Sequence, residues 1–276
     1  MPRPYSSCLF RRLAFAVVGI AASGCDVAED EPAPIIADAD EITQRLLAAG
    51  YSERDIEYAN GEVILQGDMI IDADSFADAP GETSFRHYRT FRRVDTDFYQ
   101  TVCMDLSAFE GEAQSRLYYM AQAAMARWNC LGLQFRLYVH GQAPAPCDHI
   151  VETVALPDSD VWESLLPGTG GKPGNRIRVG VNQQPLSDAE VVMAWQHEIG
   201  HIFGLRHTDA LSVVSCGGDG TPPDDPKAGI EWIEGTPQDD GTLRPSLFNA
   251  CYDLGNPLAP DFTADDRRAI RALYGQ

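Results

Sequence analysis

Three histidines and one glutamate within eleven residues, His197-Glu198-Ile199-Gly200-His201-Ile202-Phe203-Gly204-Leu205-Arg206-His207, constrain this chain more than any other feature. Residues four apart share one helix face, with Cβ atoms about 5–6 Å apart, so two imidazoles at that spacing can reach one ion at roughly 2.0–2.1 Å. Gly204 can take positive φ, ending the helix and turning the chain so that His207 reaches the same point. Three neutral imidazoles leave a Zn²⁺ ion its full charge and an open coordination position, the arrangement of a catalytic site. A metal in such a site lowers the pKa of its water from about 15.7 to about 7. Glu198, one residue past a ligand, is then placed to accept that proton and pass it to a leaving group. One catalytic zinc ion is the implied cofactor, with His197, His201 and His207 as ligands and Glu198 as general base.

The surrounding sequence supplies the helix this arrangement needs. Ser187-Asp188-Ala189-Glu190 is a capping box, and the apolar residues Val191, Val192, Trp195 and Ile199 carry the helix on to Gly204. The added glycine and third histidine cut the odds of coincidence by roughly 1,000-fold relative to HExxH alone. His87, His140 and His149 stand outside any such pattern and read as surface or hydrogen-bonded residues.

HExxHxxGxxH is the metzincin signature, and HEIGH continuing as IFGLRHTD resembles the bacterial dual-action HEIGH metallopeptidase family within that clan. The likeness extends more weakly from about Glu62 to the C-terminus. Thr263-Ala264-Asp265-Asp266, with Ile270, Leu273, Tyr274 and Gly275, is similar to the closing helix of matrixin-like domains, and Thr263 can cap it. The resemblance implies an α+β fold, a metzincin-like catalytic domain with a twisted, mostly parallel sheet over an active-site helix and a C-terminal subdomain. It also implies a polypeptide substrate and hydrolysis of peptide bonds. One departure stands out. Metzincins place a methionine in a turn beneath the zinc, yet all six methionines here lie at or before Met193. Ser246-Leu247-Phe248-Asn249-Ala250-Cys251 is similar to that turn, with Phe248 as the floor of the zinc site. Tyr252 stands at a different spacing from the switch tyrosine of related families. Leu65-Gln66-Gly67-Asp68 resembles the prosegment element of astacin-type zymogens, where an aspartate occupies the water position on zinc. Asp68 is thus either a latency switch or part of a Gly-Asp turn.

The chain has 276 residues and a formal charge of −20, so phosphate backbones and anionic membrane faces are repelled and nucleic acid is excluded as a partner. Arg3, Arg11 and Arg12 precede an apolar run from Leu13 to Ala22, then Ser23, Gly24 and Cys25: a signal peptide, too short to span a membrane. Removing residues 1–24 takes away three cations and no carboxylate, leaving −23. Ala22-Ser23-Gly24-Cys25 also resembles a lipobox, so Cys25 is either lipidated, anchoring the chain to a bacterial membrane, or simply near a cleavage site. Either outcome is extracytoplasmic, and the seven cysteines fit an oxidising compartment. A bridge between Cys216 and Cys251 is expected, with a second pair among Cys103, Cys130 and Cys147.

Three regions follow: 1–24 as signal peptide, 25–92 as acidic linker and propeptide-like segment, and 93–276 as the zinc metallopeptidase domain. Within them, Glu41–Ala49 reads as a short helix and Glu62–Ile71 as a strand interrupted at Gly67. Further strands are expected at Phe98–Leu106, Leu133–Val139, Ile150–Leu156 and Asn175–Asn182. A helix opens near Gly111 with Ala113, Leu117, Met120, Ala121, Ala124 and Trp128 toward the core. The PGTGGKPG loop lacks the ending of a phosphate-binding loop and is a turn. Asp219, Asp224 and Asp225 make calcium conceivable, but no ligand spacing is met and an acidic loop is the better reading. No oligomer is implied. The competing function is a zinc-retaining, non-catalytic surface lipoprotein acting as a binding module, motivated by Phe248; Glu198, useless to a ligand-only site, favours the enzyme.

Overall fold

The computed structural model describes residues 39–48, 51–59, 61–72, 88–90, 92–111, 114–182, 186–217, 231–237, 242–251 and 261–276. All lie in one compact unit, Ile36–Gln276. The expected signal segment 1–24, Cys25, Asp219, Asp224, Asp225 and Tyr252 fall outside the described residues.

The described residues form four α-helices: α1 (Ala39–Ala48), α2 (Ser115–Asn129), α3 (Asp188–Ile202) and α4 (Ala264–Tyr274). The strands are β1 (Ile56–Ala59), β2 (Glu62–Leu65), β3 (Met69–Ile71), β4 (Tyr88–Arg89), β5 (Thr101–Asp105), β6 (Arg136–Val139), β7 (His149–Leu156), β8 (Trp162–Leu165), β9 (Arg176–Gly180) and β10 (Glu231–Trp232). Eight of them form one sheet in the order β1-β2-β3-β8-β9-β7-β5-β6, while β4 and β10 pair separately. The run β9-β7-β5-β6 is parallel throughout, β3 is parallel to β8, and β8 is antiparallel to β9. The expected α+β class with a mostly parallel sheet is therefore what the chain adopts.

Several elements differ in detail from the sequence reading. The interrupted strand at 62–71 is a hairpin: Gln66 and Gly67 take φ of 55° and 88°, reversing the chain so that Leu65 faces Met69. The helix expected near Gly111 begins at Ser115. β8 is a strand that the sequence reading did not include, because four residues buried on both faces carry no alternation to betray it.

One core joins the sheet to α2, α3 and α4 through Trp128, Trp195, Phe135, Phe203 and Tyr274. Of the α2 stripe, Leu117, Ala121, Ala124 and Trp128 are buried in it. Phe135 stacks on Phe203 at 3.9 Å, and the Tyr274 hydroxyl donates to the Phe203 carbonyl at 2.5 Å, fixing α4 to the end of α3. Burial pushes the Tyr274 phenol up to about 12. A second core packs Ile42 and Leu46 of α1 against Val63, Leu65, Met69 and Ile71. Glu62 pairs with both Arg176 and Arg178, and Arg178 with Glu163 at 3.0 Å, tying the β2–β3 hairpin to β8 and β9. Disulfides join Cys216 to Cys251, as expected, and Cys103 to Cys147; Cys130 lies outside both. No helix among the described residues is long and apolar enough to cross a membrane.

Candidate active site

The capping box forms as read: the Glu190 amide donates to Ser187 Oγ at 3.4 Å, and the Ser187 amide to Glu190 Oε2 at 2.5 Å. From Val191 to Ile202 every residue of α3 is buried, so the helix passes through the core instead of lying on it. It stops because Gly204 takes φ of 82°, with its amide bonded to His201 O and the Leu205 amide to Gly200 O. Backbone bonds from Thr90 to Gly204 and from Arg206 to Tyr88 then hold the departing chain. That bend delivers His207.

His197, His201 and His207 converge with Asp68, four buried residues each offering one ligand atom, all within 4.8 Å of one another. Asp68 Oδ2 lies 3.1, 3.6 and 2.9 Å from the Nε2 atoms of His197, His201 and His207, and the first two Nε2 atoms are 2.8 Å apart. A tetrahedral ion with bonds of roughly 2.0–2.1 Å needs donors about 3.3 Å apart, so these separations suit one. The outer ring nitrogens explain the orientation. His197 Nδ1 donates to Leu247 O and His201 Nδ1 to Leu205 O, both at 2.7 Å, while His207 Nδ1 faces Gln66 Oε1 at 3.4 Å. With protons committed there, each Nε2 presents a lone pair inward. Lone pairs of three imidazoles and a carboxylate repel unless a cation lies among them, which is the chemistry of a metal-ligand set.

Among the protein groups alone, a proton partly fills that need. Burial lowers His197, but the hydrogen bond and charge of Asp68, with the Glu198 charge, prevail and push it up to about 9. Burial pushes His201 down to about 4, and the His197 charge acts the same way. Burial also works to raise the Asp68 carboxyl, yet the charges of His207 and His201 and the bonds from His197 and His201 hold it well below the usual carboxylate range. Glu198 is pushed up to about 8 by burial, against the opposing charge of His197. Its Oε2 accepts from Ser164 Oγ at 2.5 Å, and its Oε1 is buried with no hydrogen-bond partner among the described residues.

Phe248 is fully buried, with its ring 5.8 Å from that of His197. The turn is pinned by Asp266 at the start of α4, which accepts from Ser246 Oγ, the Leu247 amide and the Thr263 amide at 2.6, 3.1 and 2.8 Å. Leu247 in turn presents its carbonyl to His197. Asp266 thus orients a histidine it never touches.

The structure brings together every expected site residue it describes: His197, His201, His207, Glu198, Asp68 and Phe248. Asp68 lies at the end of a tight turn, and its carboxylate stands in the cluster. Sequence reasoning missed Ser164, Asp266 and the Leu247 carbonyl. Asp266 carried a signal, as the N3 acid of the Thr263 capping box, but Ser164 in a short unpatterned strand carried none.

A family model described as dual-action HEIGH metallopeptidase matches residues 65–274. Two solved structures of myroilysin are similar to the chain. Both have 13% sequence identity and a TM-score of 0.35, the first covering 67% of this chain and 87% of that one, the second 66% and 82%. No curated protein matches it.

Proposed function

The chain belongs to the dual-action HEIGH metallopeptidase family, and we propose that it is an exported zinc endopeptidase held latent in its full-length form by Asp68. The observation that carries this reading is the convergence of three imidazole Nε2 atoms and one carboxylate oxygen on a buried point beside the Glu198 carboxylate. His197, His201 and His207 would hold the ion. Zinc, when bound, supplies Lewis acidity that activates water and polarises the scissile carbonyl.

The chain's own residues do the rest. Glu198 takes the proton of the attacking water and returns it to the leaving amine. Asp68 supplies a fourth donor where the water would stand, and the β2–β3 hairpin holds it there through the Glu62 ion pairs and the Gln66 side-chain bond to Ala210 O at 2.8 Å. Activity then requires the Asp68 carboxylate to leave that position. Export rests on the 1–24 segment and the lipobox-like Cys25, and two disulfides agree with an oxidising compartment. In this scheme 25–92 acts as the linker and prosegment of the 93–276 domain.

Metal analysis with cleavage-site profiling tests the reading. The purified chain should carry one zinc, and after removal of the N-terminal segment it should cleave within a broad peptide library while Glu198→Ala keeps the metal and loses turnover. Equal inertness of the two metal-replete proteins would favour the binding-module alternative instead.

A further inference from the structure

The β8 residue Ser164 is fully buried, and its hydroxyl donates to Glu198 Oε2 at 2.5 Å. Its main chain is fixed on both sides. The Ser164 amide donates to the Asp68 carbonyl at 2.8 Å, and across the other edge Ser164 is paired in register with Ile177 of β9. Its neighbour Glu163, pointing to the opposite face of the strand, bonds Arg178. The Ser164 hydroxyl therefore projects from a backbone that the sheet holds still.

The Glu198 carboxylate depends on such a hold. The terminal torsion of a glutamate is broad, so packing alone leaves the carboxylate plane loosely set. Oε2 has the Ser164 donor, and Oε1 has no hydrogen-bond partner among the described residues. The two oxygens are thus made unequal: one is spoken for, and the other is left to accept a proton.

We propose that Ser164 is the positioning residue of the general base, fixing the Glu198 carboxylate through Oε2 so that Oε1 is the oxygen that exchanges protons during hydrolysis. This rests on the reading of Glu198 as the base. Misplacing a reacting group by about 1 Å can cost on the order of 100-fold in rate, which sets the scale of the expected effect.

The test is made in the zinc-loaded full chain carrying Asp68→Ala, with Ser164→Ala, Ser164→Cys and Glu198→Gln compared on a fluorogenic peptide. Ser164→Ala should lower kcat by roughly 10–100-fold with KM within about twofold and zinc content unchanged. Ser164→Cys, of similar volume but a weak donor, should fall between, a gradation that packing alone would not produce. Unchanged kcat in Ser164→Ala beside an inert Glu198→Gln overturns the role of Ser164 alone, whereas full turnover by Glu198→Gln overturns the base assignment and this role with it. A crystal structure of the Ser164→Ala chain gives an answer without turnover. The carboxylate should rotate or split between orientations, and finding it unmoved would overturn the proposal.

Discussion

The ring of Phe248 lies against Gly200 so closely that a Cβ built on the glycine would stand 2.1 Å from Phe248 Cε1. A phenylalanine fits beneath His197 because the helix above it lacks a side chain at that point. The bulk of that ring is accommodated by the glycine of HEIGH itself.

Gly200→Ala should therefore harm the site even though alanine is the better helix former. Propensity gains about 1 kcal/mol, but the ring must move out of a packed core, at about 1–3 kcal/mol, and it moves from under a ligand. Zinc affinity measured by chelator competition should fall at least about tenfold, and Gly200→Ala with Phe248→Ala, which restores the space, should recover most of it. Phe248→Met alone should keep affinity within about tenfold; complete loss of metal in that variant would contradict the floor role.

Asp68 lies 129 positions before His197, and the β2–β3 hairpin brings it there. Asp68→Ala in the unprocessed chain should raise the rate of peptide hydrolysis at least about tenfold over wild type, since the fourth donor is gone while the imidazoles stay. Glu62→Gln, which weakens the pairing of the hairpin with Arg176 and Arg178, should give a smaller rise. An unaltered rate in Asp68→Ala would remove the latency reading and leave Asp68 as a turn residue.

Stripping the metal with a chelator should make stability depend on pH in a defined direction. His197 is raised from its unfolded value of 6.5 to about 9, so its contribution is fully present below 6.5 and is lost as pH rises through about 9. Glu198, raised from 4.5 to about 8, acts with the same sign: its contribution is present below 4.5 and is lost as pH rises through about 8. The melting temperature of the stripped chain should thus fall between about pH 6.5 and pH 9, the Glu198 loss below 6.5 being offset by His201, which is lowered to about 4 and acts with the opposite sign, and the fall should be smaller in Asp68→Ala, where the main partner of His197 is missing. A flat profile in the stripped wild type would show that the imidazole–carboxylate contacts do not hold in solution.

What the sequence determined is what local geometry encodes. The four-residue spacing of His197 and His201, the box at Ser187 and Glu190, and the positive φ of Gly204 act within a turn or two of chain, so the helix, its start, its end and the direction taken by His207 could be read in order. The Cys216–Cys251 bridge and the placing of Phe248 beside His197 were also legible, through cysteine position and resemblance. Tertiary structure alone decided which distant residues meet there. Whether Ser164 faces Glu198 or the opposite face of β8 depends on strand register, since a slip of one residue would exchange it with Glu163. Whether Asp68 enters the cluster depends on how the β2–β3 hairpin joins β8. Such matters are settled by the packing of the whole sheet, which no local pattern in the chain records.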